Sequence, residues 1–164
     1  MTTSTRVNLS VRANFGGASP VTGGVLSVVD MAKVLGSGTG TDQADQVLHR
    51  RISLAASAQA VIDLQVDADP YGNAAGLTEW RIFAIEADAA NGSTVSIAPD
   101  GSTPYTGLVG ASGSLAVPAG GVVILTATSD GQKPITGSAK KLELTNDDGA
   151  ASAVVTVLVV GTSA

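Results

Sequence analysis

The sequence predicts an all-β protein, a single-domain antiparallel β-sandwich that is jelly-roll-like. Apolar and polar residues alternate with period two in many short segments, which is typical of half-buried strands. Gly, Pro and Asn-Gly turns separate these segments at short intervals, and no long amphipathic helical pattern interrupts them. Hydrophobic residues make up 44% of the chain and aromatic residues only 3%. The core is therefore expected to consist of small aliphatic side chains in thin, closely packed layers.

The chain begins with a strand-like segment. Val7, Leu9 and Val11 alternate with polar residues, which predicts a half-buried strand. A loop rich in glycine follows it. Residues 1–24 are therefore assigned to an N-terminal strand that could serve as an extended arm, and residues 25–164 to the β-sandwich domain.

The middle of the chain predicts the centre of a sheet. Both faces of residues 80–87 are largely apolar, as in a strand covered on two sides, and Trp80 is expected to pack in the core. The pair Asn91-Gly92 lies between strand-like runs and predicts a hairpin with residues 94–98 as its return strand. About nine or ten strands are predicted in all, over residues 6–12, 25–35 (where a short helix is the alternative), 47–54, 60–66, 80–87, 94–98, 115–117, 122–128, 140–145 and 153–160.

Alternation also predicts which side chains point inward. In the segment over residues 60–66, Ile62, Leu64 and Val66 are expected to face the core. In the segment over residues 140–145, Leu142 and Leu144 are expected to do so. The partners of these strands are not fixed by alternation alone.

Charge and composition exclude several classes of protein. The 164 residues carry a formal net charge of −5 and no basic stripe, which argues against direct nucleic-acid binding. The chain has no cysteine, which excludes disulfides and cysteine-ligated zinc. No apolar run approaches the ~20 residues that span a bilayer, so no membrane partner is expected. The first residues lack a secretory pattern, and synthesis in the cytoplasm without processing is expected.

Catalytic groups are scarce. The chain has one histidine, His49, which lies beside two arginines, and no Gly-x-Ser-x-Gly or phosphate-loop motif. Residues 67–73 partly resemble a calcium loop, but Tyr71 replaces a ligand and Pro70 stiffens the segment, so a polar loop is favoured. No enzyme activity, cofactor or metal is therefore predicted, and a hydrolase is the least favoured reading.

Five residues are candidate partner contacts. His49, Arg50 and Arg51 form the only basic cluster, with His49 and Arg51 expected on one face of a strand and Arg50 on the other. The cluster could meet an acidic partner or a phosphate, and a solvated strand or an interface salt bridge is the favoured alternative. Tyr71 and Tyr105 lie in predicted loops and are expected to be exposed, where they could contact a partner or stack on a sugar.

Two parts of the chain resemble small all-β virion proteins of tailed bacteriophages, of the capsid-decoration or cement type. That resemblance implies a jelly roll or related β-sandwich that sits as a homodimer or homotrimer on the capsid exterior and clamps neighbouring major capsid proteins. It transfers no catalytic or attachment residues. The stretches that carry it are residues 38–51, 53–57 and 62–64 in the first part, and residues 115–121, 140–146 and 157–161 in the second.

Two functions follow as expectations. The first is a structural virion protein that binds the outer capsid surface as an oligomer and cements major capsid subunits through many weak contacts. The alternative is a head-fibre or tail-associated β-sandwich that contacts host surface glycans. It requires Tyr71 or Tyr105 to be exposed beside acidic groups in one groove.

Overall fold

A computed structural model describes residues 5–14, 26–40, 42–127 and 134–163 of the chain. Every regular element within those ranges is a β-strand. The strands are β1 (Thr5–Asn14), β2 (Leu26–Ser37), β3 (Gln43–Ala44), β4 (Gln46–Leu54), β5 (Gln59–Asp63), β6 (Glu79–Ala87), β7 (Val95–Pro99), β8 (Leu115–Val117), β9 (Val122–Thr126), β10 (Lys141–Asn146) and β11 (Ala153–Thr162).

Two four-stranded sheets form the body of the protein. Sheet I has the strand order β4-β11-β6-β9, and sheet II has the order β5-β10-β7-β8. All pairings within them are antiparallel. The buried side chains between the sheets form one hydrophobic cluster, so the arrangement is sandwich-like. The predicted all-β, antiparallel class is confirmed.

A third sheet holds the N-terminal strands. β1 pairs with β2 along its whole length in an antiparallel hairpin. The end of β2 then joins β3 through a short parallel bridge, in which Gly36 lies opposite Gln43. The predicted boundary between residues 24 and 25 falls outside the described residues.

The chain crosses between the sheets at nearly every connection. From β4 onward, only the β7–β8 connection stays within one sheet. Strands joined by short connections occupy equivalent positions in the two sheets, namely β4 with β5, β6 with β7, β8 with β9 and β10 with β11. These four short connections lie at one end of the sandwich, which we term the crossing end. The β5–β6 and β7–β8 connections lie at the opposite, long-loop end.

β6 is the central strand that the sequence predicts. It lies between β11 and β9 in sheet I. Phe83 and Ile85 point into the cluster between the sheets, whereas Ile82 packs in a second, smaller cluster on the other face of sheet I. Trp80 is buried, as expected, and meets Phe83 edge to face with ring centroids 6.4 Å apart.

An irregularity in sheet I brings two backbones close together. The register between β6 and β11 shifts between Val160 and Gly161. A side chain at Gly161 would overlap the carbonyl oxygen of Glu79, so only glycine fits there. Arg81 is buried next to this shift, and its Nη1 lies 2.7 Å from Oε2 of Glu79. That ion pair offsets part of the cost of burying the Arg81 charge, while Nε of Arg81 is buried without a hydrogen-bond partner among the described residues.

The Asn91-Gly92 turn is not the hairpin that its sequence predicts. The expected return strand exists as β7, but β6 belongs to sheet I and β7 to sheet II. The side chain of Asn91 explains the difference, because it bonds the backbone of Val154 on β11. Its Nδ2 donates to the Val154 carbonyl at 3.0 Å, and its Oδ1 accepts the Val154 N–H at 2.8 Å. The turn is thus fixed to the beginning of β11 in sheet I while the chain passes to sheet II.

Asn146 has a similar role where β10 leads into β11. It is only 1% exposed. Its Nδ2 donates to the carbonyls of Ala55 and Ala151 at 2.9 and 2.8 Å, and its Oδ1 accepts the N–H of Asp148 at 3.0 Å. One buried side chain therefore satisfies backbone groups of two crossing connections.

One inward-facing residue was predicted wrongly. Ile62 and Leu64 are buried as expected, but Val66 is 62% exposed. β5 ends at Asp63, whose Oδ1 accepts the backbone N–H groups of Gln65 and Val66. This local turn ends the alternation before it reaches Val66. Leu142 and Leu144 are buried, which confirms the inward face predicted for that strand.

We expect Asn146→Ala to lower the free energy of unfolding by about 2–3 kcal/mol, because it leaves buried backbone groups without their partners. Asn73→Ala is the matched control. Asn73 lies in an exposed loop, and its loss should change stability by less than about 0.5 kcal/mol. Urea unfolding of both variants measures the difference. Equal stability of the two would contradict the role given to Asn146.

Candidate functional site

The basic cluster divides between the two faces of sheet I. The register sets His49 opposite Leu158, Arg50 opposite Val157 and Arg51 opposite Thr156. Val157 faces the core, so His49 and Arg51 share the outer face of sheet I, the face turned away from sheet II. The predicted division of the three side chains is confirmed.

Both arginines of the cluster have carboxylate partners within the chain. Nη1 of Arg50 lies 2.7 Å from Oδ2 of Asp67, and Nη2 of Arg51 lies 3.2 Å from Oδ2 of Asp88. The Arg51 pair is exposed, so its contribution to stability is small. The carboxylates of Asp67 and Asp88 therefore offset the charges of both arginines within the chain.

The outer face of sheet I is apolar around His49. A shallow hollow of about 180 Å³ lies there across the four strands of the sheet. Val122, at its border, is 56% exposed. A lone exposed valine is ordinary on a protein surface, but a row of apolar residues on one sheet face is not. The residues that line the hollow are His49, Ala84, Ile85, Glu86, Val122, Thr156 and Leu158.

One end of this outer face is already covered. Leu35 lies near the end of β2 and is fully buried against Ile82 and Val160. Val47, Ile124 and Leu158 are partly buried at the margin of the same cluster. Apolar packing on this face therefore continues from Leu35 toward the open hollow around His49.

A groove of about 490 Å³ lies at the long-loop end, beside the beginning of β4. Tyr71 is the most exposed large hydrophobic side chain in the described part of the protein, at 89%. Its exposure agrees with the prediction. Two carboxylates and two amide side chains share the groove with its ring. The lining consists of Asp45, Gln46, Val47, Asp69, Pro70, Tyr71, Asn73 and Ala74.

The carboxylates of this groove also hold the chain around them. Oδ1 of Asp69 accepts the backbone N–H groups of Tyr71 and Asn73 at 2.9 and 2.7 Å. Desolvation raises the pKa of Asp69, but these N–H groups outweigh it and hold the pKa below the ordinary value of 3.8. Asp45 binds both the backbone N–H and the hydroxyl of Ser163. The groove is therefore acidic and its walls are hydrogen-bonded in place.

The segment that partly resembles a calcium loop uses its carboxylates internally. Asp67 accepts the N–H of Asp63 and pairs with Arg50, while Asp69 organises the turn around Tyr71. Across the ranges that the structure describes, no group of three or more acidic, histidine or cysteine side chains is placed to hold a metal ion. The segment acts as a polar loop that forms one wall of the groove.

The prediction that Tyr105 is exposed is wrong. Tyr105 lies in the β7–β8 connection, yet it is only 1% exposed, and its hydroxyl accepts a 2.9 Å hydrogen bond from Nε1 of Trp80. A loop position suggests exposure, but the long β7–β8 connection folds back over the core. Tyr105 is thus a core residue and does not line the groove with Tyr71.

Sequence reasoning missed the apolar outer face. Val154, Thr156, Leu158 and Val160 occupy the outward positions of β11, and three of them are aliphatic. The nearly unbroken apolar run of β11 is the signal that could have identified this face, because a strand with one solvent-exposed face normally alternates between apolar and polar residues.

The role of Asp45 in the groove was also missed, since Asp45 is distant in sequence from Tyr71. The two surfaces can bind by apolar contact and by hydrogen bonding.

We expect stability to fall more steeply above pH 10 when Tyr105 is present than when it is absent. Burial raises the pKa of Tyr105 above 10.0, opposed by the Trp80 hydrogen bond and reinforced by the charge of Glu79. The unfolded chain therefore loses this proton at a lower pH than the folded chain, so the free energy of unfolding falls as pH rises through that interval.

Two single-tyrosine variants isolate this effect. Tyr71→Phe retains Tyr105 and should keep the steep decline, whereas Tyr105→Phe should show a shallower one. Urea unfolding of both between about pH 9 and 11 provides the measurement. Parallel declines in the two variants would show that folding does not raise the pKa of Tyr105.

Among the residues that line the hollow and the groove, we recognise no set of reacting groups. The described ranges contain no helix long and apolar enough to span a membrane. No protein-family model, curated protein or solved structure matches the chain.

Proposed function

We propose that the sandwich is a jelly roll and that the protein is a structural virion protein, which binds the outer capsid surface as an oligomer and cements neighbouring major capsid subunits. The strand orders β4-β11-β6-β9 and β5-β10-β7-β8 support the first part. An eight-stranded jelly roll has two such sheets with repeated crossings between them, and viral capsid domains are among its users. A fold does not fix a function. The capsid-binding role is therefore supported by the surfaces of the protein and not by its fold.

The observation that carries the proposal is the apolar outer face of sheet I. It lies on paired, antiparallel strands, so a partner would meet a preformed surface and lose little entropy in ordering it. A standard interface buries about 800 Å² on each partner. Repeated over a capsid lattice, such contacts would add by multivalency.

Charge also supports a protein partner over nucleic acid. The net charge is −5, and both arginines of the basic cluster already pair with carboxylates. Within this cluster, little positive charge is left to neutralise phosphates. The major capsid protein and further copies of this chain are the proposed partners, and the capsid exterior is the proposed location.

Purified protein is expected to bind capsids of the encoding phage that were assembled without it, with saturable stoichiometry. Val122→Asp should weaken this binding by about tenfold or more, because it buries an unpaired charge in the contact. Val61→Asp is the matched control, since Val61 is 42% exposed but lies on sheet II. Co-sedimentation measures occupancy. Absence of binding to these capsids, at any concentration up to about 10 µM, would refute the cement function.

The Tyr71 groove favours a second candidate, a head-fibre or tail-associated module that contacts host surface glycans. An exposed aromatic ring can stack on the apolar face of a sugar, while carboxylate and amide groups accept and donate hydrogen bonds to its hydroxyls. The groove provides Tyr71, Asp45, Asp69 and Asn73 together. Its volume of about 490 Å³ lies within the range of small-molecule sites.

If the groove binds glycans, a glycan array should show selective retention of the protein. Tyr71→Ala should then reduce binding by about tenfold or more, whereas Tyr71→Phe should retain most of it because the ring is preserved. The exposed position of Tyr71 means that neither change should disturb folding. No retained glycan, or equal effects of the two substitutions, would count against this candidate.

A further inference from the structure

The Tyr71 groove at the long-loop end carries charge of one sign. Its lining includes Asp45 and Asp69 and contains no lysine, arginine or histidine. Arg50 follows on the same strand, β4, but its guanidinium pairs with Asp67 at 2.7 Å, so its charge is offset there. The groove is therefore negative, which attracts a cationic ligand and repels an anionic one.

Both carboxylates are fixed in place and can still bind a ligand. Oδ1 of Asp69 accepts the N–H groups of Tyr71 and Asn73, whereas its Oδ2 lies 3.5 Å from Nδ2 of Asn73, at the limit of a hydrogen bond. Asp45 accepts the N–H and the hydroxyl of Ser163. A carboxylate has about four lone-pair sites, so both groups can accept further hydrogen bonds. Because the pKa of Asp69 lies below 3.8, this side chain stays ionised at neutral pH.

The ring of Tyr71 favours the same sign of charge. It is 89% exposed, and the hydrogen bond from its backbone N–H to Asp69 anchors it at the groove. The face of an aromatic ring attracts cations and also stacks on the apolar face of a sugar. Gln46 and Asn73 also line the groove, and amide side chains donate and accept hydrogen bonds to hydroxyl groups. The lining thus combines groups that suit a cation with groups that suit a sugar.

A lysine side chain of another protein is the other common source of an ammonium group. Lysine is flexible, so fixing it in a groove costs side-chain entropy, and it offers no ring or hydroxyls to the aromatic and amide groups. A sugar uses all of these groups. The volume of the groove, about 490 Å³, is also that of a small-molecule site.

We propose that the Tyr71 groove binds sugars that carry a free, protonated amine, in preference to N-acetylated and acidic sugars. The carboxylates of Asp45 and Asp69 accept the N–H groups of the ammonium, and the ring of Tyr71 stacks on the sugar. The inference rests on the second candidate function, glycan binding, and names the class of ligand for that site.

Three oligosaccharides of equal length test this selectivity, namely the tetramers of glucosamine, N-acetylglucosamine and galacturonic acid. Calorimetric titration of the full-length protein at about pH 6, where an amine of this kind holds its proton, gives the affinity for each. We expect the glucosamine tetramer to bind at least about tenfold more tightly than the N-acetylated one, and the acidic tetramer to show no measurable binding. Raising the salt concentration to about 0.5 M should reduce this preference, because salt screens exposed charges.

Isosteric substitutions assign the preference to the groove. Asp69→Asn and Asp45→Asn each remove one charge but keep a side-chain oxygen that can accept the existing backbone hydrogen bonds. Each should lower the affinity for the glucosamine tetramer by about threefold or more. Asp148→Asn is the matched control, because Asp148 also accepts backbone N–H groups but lies in the β10–β11 connection at the crossing end. It removes the same charge from the chain and should leave the affinity unchanged.

The natural chain decides the inference even if a variant does not fold. Equal affinity for the amino and N-acetylated tetramers, or tighter binding of the acidic one, would overturn the charge selectivity and leave glycan binding standing. Binding of none of the three would overturn the inference, and the glycan array then decides whether another class of sugar binds. Tetralysine bound as tightly as the glucosamine tetramer would overturn it in favour of basic protein segments. Equal effects of Asp148→Asn and Asp69→Asn would show that net charge, and not the groove, sets the preference.

Discussion

The side-chain amide of Asn146 lies where sheet II passes into sheet I, and the crossing end is organised around its three hydrogen bonds. A chain that changes sheet at almost every connection must turn many backbone groups away from the strand ladders. Those groups are costly to bury without partners. Asn146 and Asn91 supply the partners from side chains, so the connections can stay short and the two sheets remain in fixed register.

This fixed geometry determines what the surfaces can do. β11 and β6 lie at the centre of sheet I with partners on both sides, and most of their outward residues are apolar. A rigid face of this kind favours recognition by shape. The Tyr71 groove has a different origin, since its walls are a loop and the start of an edge strand, held by Asp69 and Asp45. The described part of the protein thus combines an apolar surface with a polar groove.

Alternation of apolar and polar residues predicted most strands, because a two-residue period depends only on which face of a strand is exposed to solvent. It also placed Trp80 and the central strand correctly. It could not assign β7 to a sheet, since the Asn91-Gly92 signal describes a turn and not the distant backbone of Val154 that the asparagine binds. Pairing between residues far apart in the chain is set by packing, which local patterns do not encode.

The sequence predicted only some features of the candidate site. The exposure of Tyr71 and the division of the His49 cluster follow from local pattern. The burial of Tyr105 does not, because it depends on a long loop returning to meet Trp80. The partnership of Asp45 with Tyr71 in one groove likewise arises only when the beginning of β4 and a remote loop meet at the long-loop end.

The two ends of the sandwich differ in how freely they can change during evolution. At the crossing end, an inserted residue would separate Asn146 or Asn91 from the backbone groups that they bind, and a side chain added at Gly92 would strike Asp148. At the long-loop end, loops can lengthen at little entropic cost and without disturbing the sheets. Diversification of recognition is therefore expected to concentrate around Tyr71, while the opposite end keeps its length and its asparagines.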